Sequence, residues 1–340
     1  MTFPLDPALA PMEAKLVASL PDEDGWQFEP KWDGFRCLAY RAGPVVELMS
    51  KSGKPLTRYF PEVAAMLGRL RSDRFVLDGE LLIPLGETLS FDALQARLHP
   101  AESRIRRLAA ETPAQLMLFD CLATGDEALL ELPLALRRTA LERLHAREAE
   151  ASLLLSPAVV ERSQADAWLA RSGGALDGVV AKRLDQAYTP GERTMLKVKQ
   201  HRSADCVVGG FRYGAAGGEV ASLLLGLYGE DGLLHYVGFT SGLPAAERPA
   251  LTRRLEGIPG SGFTGKAPGG PSRWTRGETH EWRPLAPELV VEVRYDQVTG
   301  GRFRHGTRLL RWRPDKRPDQ CRTDQLIHEL KPVALMEVIA

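Results

Sequence analysis

Phe28-Glu29-Pro30-Lys31-Trp32-Asp33-Gly34-Phe35-Arg36 sets one lysine inside an apolar, strand-like run, with a carboxylate, a turn-permitting glycine and an arginine just beyond it. At an ordinary pKa of about 10.4 a lysine is almost wholly protonated near neutrality, so nucleophilic use requires burial or a neighbouring cation. Phe28, Trp32 and Phe35 stand where they can supply that burial. Taken alone, the stretch reads equally as an edge strand on which Lys31 pairs with Asp33, and the rest of the chain has to decide.

At 340 residues the chain has room for two domains, each able to bury its own core. Lys+Arg and Asp+Glu are equal at 44, so there is no global basic field and phosphate binding must come from local clusters. Cys37, Cys121, Cys206 and Cys321 lie far apart without a Cys-x-x-Cys pair. That argues against a zinc ribbon or a dense disulfide framework and fits buried thiols in a reducing compartment. Met1 to Leu9 lacks the basic start and apolar core of a signal peptide, and no stretch approaches about 18 uninterrupted apolar residues, so a cytoplasmic, non-membrane protein is expected.

Residues 1–27, rich in Pro, Asp and Glu, read as a lead-in that packs on the domain begun by the Lys31 strand. Cys37 to Tyr40 continues a strand, Gly43-Pro44 turns it, and Val45 to Met49 returns as its hairpin partner. Ser50-Lys51-Ser52-Gly53-Lys54 is then a basic loop, either solvated or holding a substrate phosphate. Val63, Met66, Leu67 and Leu70 predict a helix over Pro61 to Leu70, feeding a strand from Phe75 to Ile83. Period-two alternation sets Asp78 and Glu80 on one face, pointing into solvent or a cleft.

Gln115 to Cys121 reads as a further strand carrying Phe119-Asp120, and residues 126–172 as mainly helical. Gly173-Gly174 breaks the helix, and Leu176 to Arg183 comes next as a strand entered through Asp177-Gly178. On Arg193 to Lys199, Lys197 and Lys199 share one face, where ammonium groups repel unless an anion lies between them. A solvated basic edge strand is the alternative.

Past a polar hinge at residues 200–203 the texture turns to short strands and glycines: Cys206 to Phe211, Ser222 to Leu227, His235 to Phe239 and Leu289 to Tyr295. A small closed or partly open barrel of the OB type fits, with Pro244 to Glu256 as an inserted helix. Gly260-Ser261-Gly262-Phe263-Thr264-Gly265-Lys266 nearly matches a P-loop, but Ala267 replaces its Ser/Thr, no strand precedes it, and Pro268 and Pro271 oppose the helix that should come after it. A flexible loop is expected there instead. The dense basic block from Arg302 to Arg317 reads as a polyphosphate or nucleic-acid contact.

Lys31-x-Asp33-Gly34-x-Arg36, Asp78-Gly79-Glu80, Phe119-Asp120, Asp177-Gly178-Val179-Val180-x-Lys182, Lys197-x-Lys199 and Arg313-x-Asp315-Lys316 succeed one another in the order of the covalent nucleotidyltransferase motifs. Together they span almost the whole chain, which resembles the small bacterial ATP-dependent DNA ligases of the C type and the ligase module of multifunctional end-joining ligases. The resemblance implies an α+β fold: a nucleotidyltransferase domain of ATP-grasp-like antiparallel sheets with helices over residues 1–202, then an OB-fold barrel domain over 203–340.

It also implies that Lys31 takes AMP from ATP and passes it to the 5′-phosphate of a nick in duplex DNA, with Mg2+ or Mn2+ assisting. Glu29 would lie near the adenine amine, Phe119 would stack on the purine and Glu80 would meet the ribose. Asp33, Glu80 and Asp177 would serve the metal. Lys182, Lys197 and Lys199 would face the α-phosphate, Arg36, Ser50 and Lys51 the nick, and Arg313 and Lys316 the β- and γ-phosphates. Asp177 departs from the pattern, which has Glu there. A monomer with nicked DNA and other repair proteins as partners, held at the nucleoid, is the expectation. An RNA ligase, a capping guanylyltransferase and a non-catalytic OB-type binding module are the alternatives.

Overall fold

The computed structural model describes residues 2–86, 88–171, 176–199, 202–214, 217–269, 281–296, 298–303 and 306–326. They fall into two compact units, one within residues 2–199 and the other within residues 202–326. The expected break at Gly173-Gly174, residues 200 and 201 of the hinge, and Arg304 and His305 of the basic block lie outside the described residues.

Among the described residues the first unit is built on two main sheets. One is four-stranded, in the order Ala14–Leu16, Met195–Val198, Leu176–Arg183, Trp26–Trp32. The other is six-stranded, running Leu153–Leu155, Gln115–Thr124, Arg74–Leu82, Phe35–Ala42, Val45–Ser50, with Glu127–Ala128 against Gln115–Thr124. Both are mixed, because Ala14–Leu16 and Leu153–Leu155 each pair in parallel. The all-antiparallel expectation is corrected to that extent. So is the lead-in: part of residues 1–27 is a strand of the first sheet.

Asp33-Gly34 joins the last strand of the first sheet to the second sheet. Gly34 is not there for a left-handed turn, since it is absent from the positive-φ glycines. It is there for space: a Cβ would lie 2.2 Å from the Leu81 carbonyl oxygen and 2.8 Å from Glu80 Cγ. The strand Arg74–Leu82 and its neighbour Gln115–Thr124 are buried on both faces, as their nearly continuous apolar runs allow. Cys37, Ala39, Leu77 and Leu81 pack one way, into a core with Val63, Met66 and Leu67 of the helix Pro61–Arg69 and Leu141 and Leu144 of the helix Leu134–Arg147. Leu38, Tyr40 and Val76 pack the other way, with Met12, Tyr188 and Met195. Asp78 lies on this second face and is fully buried, which corrects its expected opening into solvent or a cleft; Glu80 alone of the two acids lines the cleft.

Met195–Val198 has a partner on either side, so Lys197 does not lie on a solvated edge strand. Its position in the middle of the sheet turns it inward, to the cleft between the two sheets.

The second unit carries a six-stranded sheet in the order Leu234–Thr240, Val220–Tyr228, Arg202–Tyr213, Val290–Tyr295, Arg308–Trp312, with Arg283–Pro284 also on Arg202–Tyr213. The end strands approach through one bridge, Thr240 to Thr307. The expected helix is present as Arg248–Glu256, after a short turn of 3₁₀ helix. Residues 260–269 hold no helix, in keeping with the rejected P-loop. They are nevertheless fastened down, not the free loop expected: Phe263 packs on Tyr236 and Trp282, and Thr264 Oγ1 accepts from the Leu234 amide at 2.8 Å. An aromatic among the glycines anchors them.

Candidate active site

A cleft of about 650 Å³ opens between the two sheets of the first unit, a volume in the range of small-molecule sites. Glu29, Lys31, Val180, Lys182 and Lys197 line it from the first sheet, and Arg36, Ser50, Glu80 and Phe119 from the second. Sequence-distant motifs thus share one wall or the other because the strand alternation sends every second residue inward.

At one end the amine of Lys31 lies 2.6 Å from Asp177 Oδ2, and the same oxygen takes Lys199 at 2.8 Å. Asp177 thus stands as the anion between Lys31 and Lys199, a different pair from the Lys197 and Lys199 for which one was expected. A β-bulge produces this geometry. Leu176 pairs with Trp32 but Val179 with Pro30, so Asp177-Gly178 opposes Lys31 alone. Gly178 has φ +137° and a Cβ there would sit 2.0 Å from the Val198 carbonyl oxygen, so only glycine fits. The bulge re-aims the short Asp177 side chain at both lysines.

Burial of Asp177 would raise its pKa, but Lys31 and Lys199 outweigh it and hold the carboxyl below its usual range. The Lys197 ammonium is held below the ordinary lysine range, first by burial and then by repulsion from Lys31, Lys199 and Lys51. Glu80, across the cleft, is pushed up to about 7 by burial, against the opposing pull of Arg36 and Lys31. Its Oε1 accepts from the Gly34 amide at 3.2 Å. The apolar cover expected for Lys31 is partly elsewhere: Phe28 packs with Trp168 and Val179 in a core behind the strand.

Lys182 is not with the other lysines. It is buried, 2.8 Å from Glu29 Oε1 and 3.3 Å from the Phe119 carbonyl oxygen, while Gln27 donates to the same Glu29 oxygen at 2.7 Å. Lys182 pairs in register with Gln27, four residues or roughly 13 Å along the strand from Lys31. The Phe119 ring has cations on it, Arg36 at 4.6 Å and Lys182 at 4.7 Å. It too sits on a bulge, since Asp78 pairs with Asp120 but Gly79 with Leu118. Asp120 anchors that strand from below through a bidentate pair with buried Arg137, at 2.9 and 3.0 Å.

Arg36 is bound in turn by Asp78, at 2.5 and 2.6 Å, and Tyr188 donates to the same carboxylate at 2.6 Å. At the mouth, Lys51 reaches Glu13 at 3.0 Å beside Ser50, and Arg193 reaches it at 3.4 Å. In the second unit Arg313 and Lys316 converge on Asp205. Sequence reasoning passed over Glu13 and Tyr188, and gave no role of its own to Asp120 of the Phe119-Asp120 motif, to Arg137 or to Asp205. The buried Arg137 did carry a signal, an arginine on the apolar face of a predicted helix.

The family model described as the ATP dependent DNA ligase domain matches residues 8–199, and that described as the ATP dependent DNA ligase C terminal region matches residues 216–316. DNA ligase C1 of Mycolicibacterium smegmatis is 45% identical over 96% of this chain and 96% of its own length. The multifunctional non-homologous end joining DNA repair protein LigD of Mycobacterium tuberculosis is 33% identical over 92% of this chain and 39% of its own length. A solved structure from a structure-function study of Lig E DNA ligases aligns with a TM-score of 0.54 at 17% identity, over 89% of this chain and 100% of that one, and bears on the fold alone.

Proposed function

The chain belongs to the ATP-dependent DNA ligases, and we propose that it joins a 5′-phosphate to a 3′-hydroxyl in nicked duplex DNA with Lys31 as the carrier of AMP. The observation that carries this reading is the Lys31–Asp177–Lys199 cluster at one end of a cleft whose other end holds Glu29, Lys182 and Phe119. A nucleotide laid between them has its base at the carboxylate and ring, and its phosphates at the amine.

Lys31, once deprotonated, attacks the α-phosphorus in line, the bond to the β-phosphate oxygen breaks, and pyrophosphate leaves. Lys197 and Lys199 stabilise the charge that develops on the phosphoryl oxygens. Phe119 offers a flat face to the purine, and Glu29 an acceptor to its exocyclic amine. Lys182, bonded to Glu29 and to the Phe119 carbonyl, serves the base end on this reading, in place of the α-phosphate role its motif suggested. Glu80 is within the cleft for the ribose. Arg36, 4.6 Å from the Phe119 ring centre, faces the incoming DNA with Ser50 and Lys51.

Among the described residues no cluster of three or more His, Cys, Asp or Glu side chains is preassembled for a metal. Mg2+ ordinarily takes one or two carboxylates together with substrate phosphates, and Asp177 and Glu80 from facing walls, with Asp33 between the strands, fit that arrangement. Mg2+ or Mn2+ bound there would neutralise phosphate charge. We read the second unit as an OB-type barrel, with the domain division near residue 202, and the protein as a cytoplasmic monomer acting at the nucleoid with other repair proteins. No helix among the described residues is long and apolar enough to cross a membrane.

Sealing of a nicked duplex, with ATP or GTP and with a DNA or an RNA 3′-strand, tests the assignment. ATP-dependent joining of the DNA nick is expected; activity with GTP alone, or on RNA alone, would favour a capping or RNA-joining enzyme.

A further inference from the structure

Asp205 belongs to none of the nucleotidyltransferase motifs, yet it organises the charged end of the second unit. Its Oδ1 and Oδ2 accept from Arg313 Nη1 at 2.9 and 3.1 Å, and Oδ2 also takes Lys316 at 2.6 Å. The opposite edge of the Arg313 guanidinium is chelated by Asp315, at 3.0 Å from Nε and 2.8 Å from Nη2. Asp205 is the inner partner and Asp315 the outer, with side-chain exposures of 12% and 63%.

The backbone of Asp205 is itself clamped. Gln325, from the short turn Thr323–Gln325, accepts from the Asp205 amide and donates to its carbonyl, both at 2.9 Å. Its own strand runs in unbroken register along Val290–Tyr295, with Asp205 opposite Glu292; the next strand bulges just past the Glu292–Arg311 pair, and Arg311 bonds Glu292 at 2.6 Å. Long cationic side chains lose considerable rotamer freedom when ordered. Here that ordering is done in advance, by a carboxylate on a rigid strand, and Lys316 and Arg313 each keep N–H groups that Asp205 does not use.

We infer that Asp205 is a positioning residue for the triphosphate end of the reaction: it holds Arg313 and Lys316 on one carboxylate, as two cations that a pyrophosphate can take together. The inference rests on the reading that Arg313 and Lys316 serve the β- and γ-phosphates. It concerns making and reversing the Lys31–AMP bond and not sealing, because once pyrophosphate has left these cations have no ligand. In the reverse step a pyrophosphate oxygen attacks the phosphoramidate phosphorus, the P–N bond breaks, and ATP and the free Lys31 amine are formed.

The test uses the full chain, loaded with labelled AMP and then discharged with pyrophosphate. Asp205→Asn keeps the shape and removes the charge; Gln325→Ala loosens the same residue without touching the cations. Asp205→Asn is expected to raise the half-saturating pyrophosphate concentration about tenfold, the scale of one charge-assisted hydrogen bond, and Gln325→Ala less. Both should seal a pre-adenylylated nick at the wild-type rate. Unchanged pyrophosphate dependence in Asp205→Asn, while Arg313→Ala is impaired, would overturn the inference and leave the parent reading standing. An unimpaired Arg313→Ala would remove the parent reading itself. Tighter pyrophosphate use in Asp205→Asn would overturn the inference differently, by making Asp205 a competitor. Equal loss in the sealing assay would make it a structural residue only.

Discussion

Asp177 in the first unit and Asp205 in the second each hold a pair of cations, at 2.6 and 2.8 Å for the lysines and at 2.9 and 2.6 Å for the arginine and lysine. Their backbones differ. Asp177 stands on a bulge that only Gly178 permits, whereas Asp205 stands in unbroken register, pinned by Gln325. The bulge lets a side chain from the middle of a sheet turn to Lys31, the lysine that reacts on the proposed reading. The regular strand gives a fixed platform on which cations wait. On the proposed reading, a covalent nucleophile has its counter-ion re-aimed and a phosphate grip has its counter-ion held still.

The largest expected effect comes from a third carboxylate, Glu29, which has Lys182 as its only ion-pair partner among the described residues and is buried with it. Removing the cation by Lys182→Met strands a buried charge and should destabilise the first unit by about 3–5 kcal/mol in thermal or denaturant unfolding. Adding Glu29→Leu should recover much of the loss, whereas additive losses would show that the pair is not the source.

Next comes Asp177→Ala, which leaves Lys31, Lys197 and Lys199 facing one another without their anion. Adenylylation should fall by about a hundredfold, as when an electrostatic group of a phosphoryl-transfer site is lost. Asp177→Glu, the residue usual in the resembling motif, should restore most of it in single-turnover assays. If both variants work like wild type, the bulge is ornamental.

The smallest effect concerns a carboxylate with backbone donors in place of cations. Glu148 accepts from the amides of Arg71 and Ser72 at 2.8 and 3.0 Å, and these bonds, working against burial, lower its pKa. A depressed carboxylate contributes stability above its unfolded pKa and loses it as pH falls through the folded value. Glu148→Gln should therefore cost less than about 1 kcal/mol near neutrality, and the difference from wild type should shrink as pH falls below the ordinary Glu value of about 4.3 and vanish once pH is below the depressed folded value. A difference that grows in acid would mean that the folded protein favours the protonated carboxyl instead.

Part of the cleft was legible because strand alternation is local: Lys197 with Lys199, and Asp78 with Glu80, share faces by their spacing alone. What escaped was long-range. Tyr188 meets Asp78 across 110 residues and Arg313 meets Asp205 across 108, and no periodicity records such pairs. The bulges at Asp177-Gly178 and Phe119 were also invisible, since they depend on the partner strand's register. Asp78 was expected to open to solvent or a cleft because alternation identifies a face without saying what covers it; Met12 and Tyr188 do.

The central claim is that Lys31 carries the AMP. Incubating the protein with α-labelled ATP and divalent metal, then digesting it and locating the adenylyl group by mass spectrometry, tests it most directly. The label should reside on the peptide containing Lys31, and Lys31→Ala should carry none while remaining folded and able to seal a pre-adenylylated nick. Undiminished labelling of Lys31→Ala, or AMP found on another lysine of the wild type, would contradict the account.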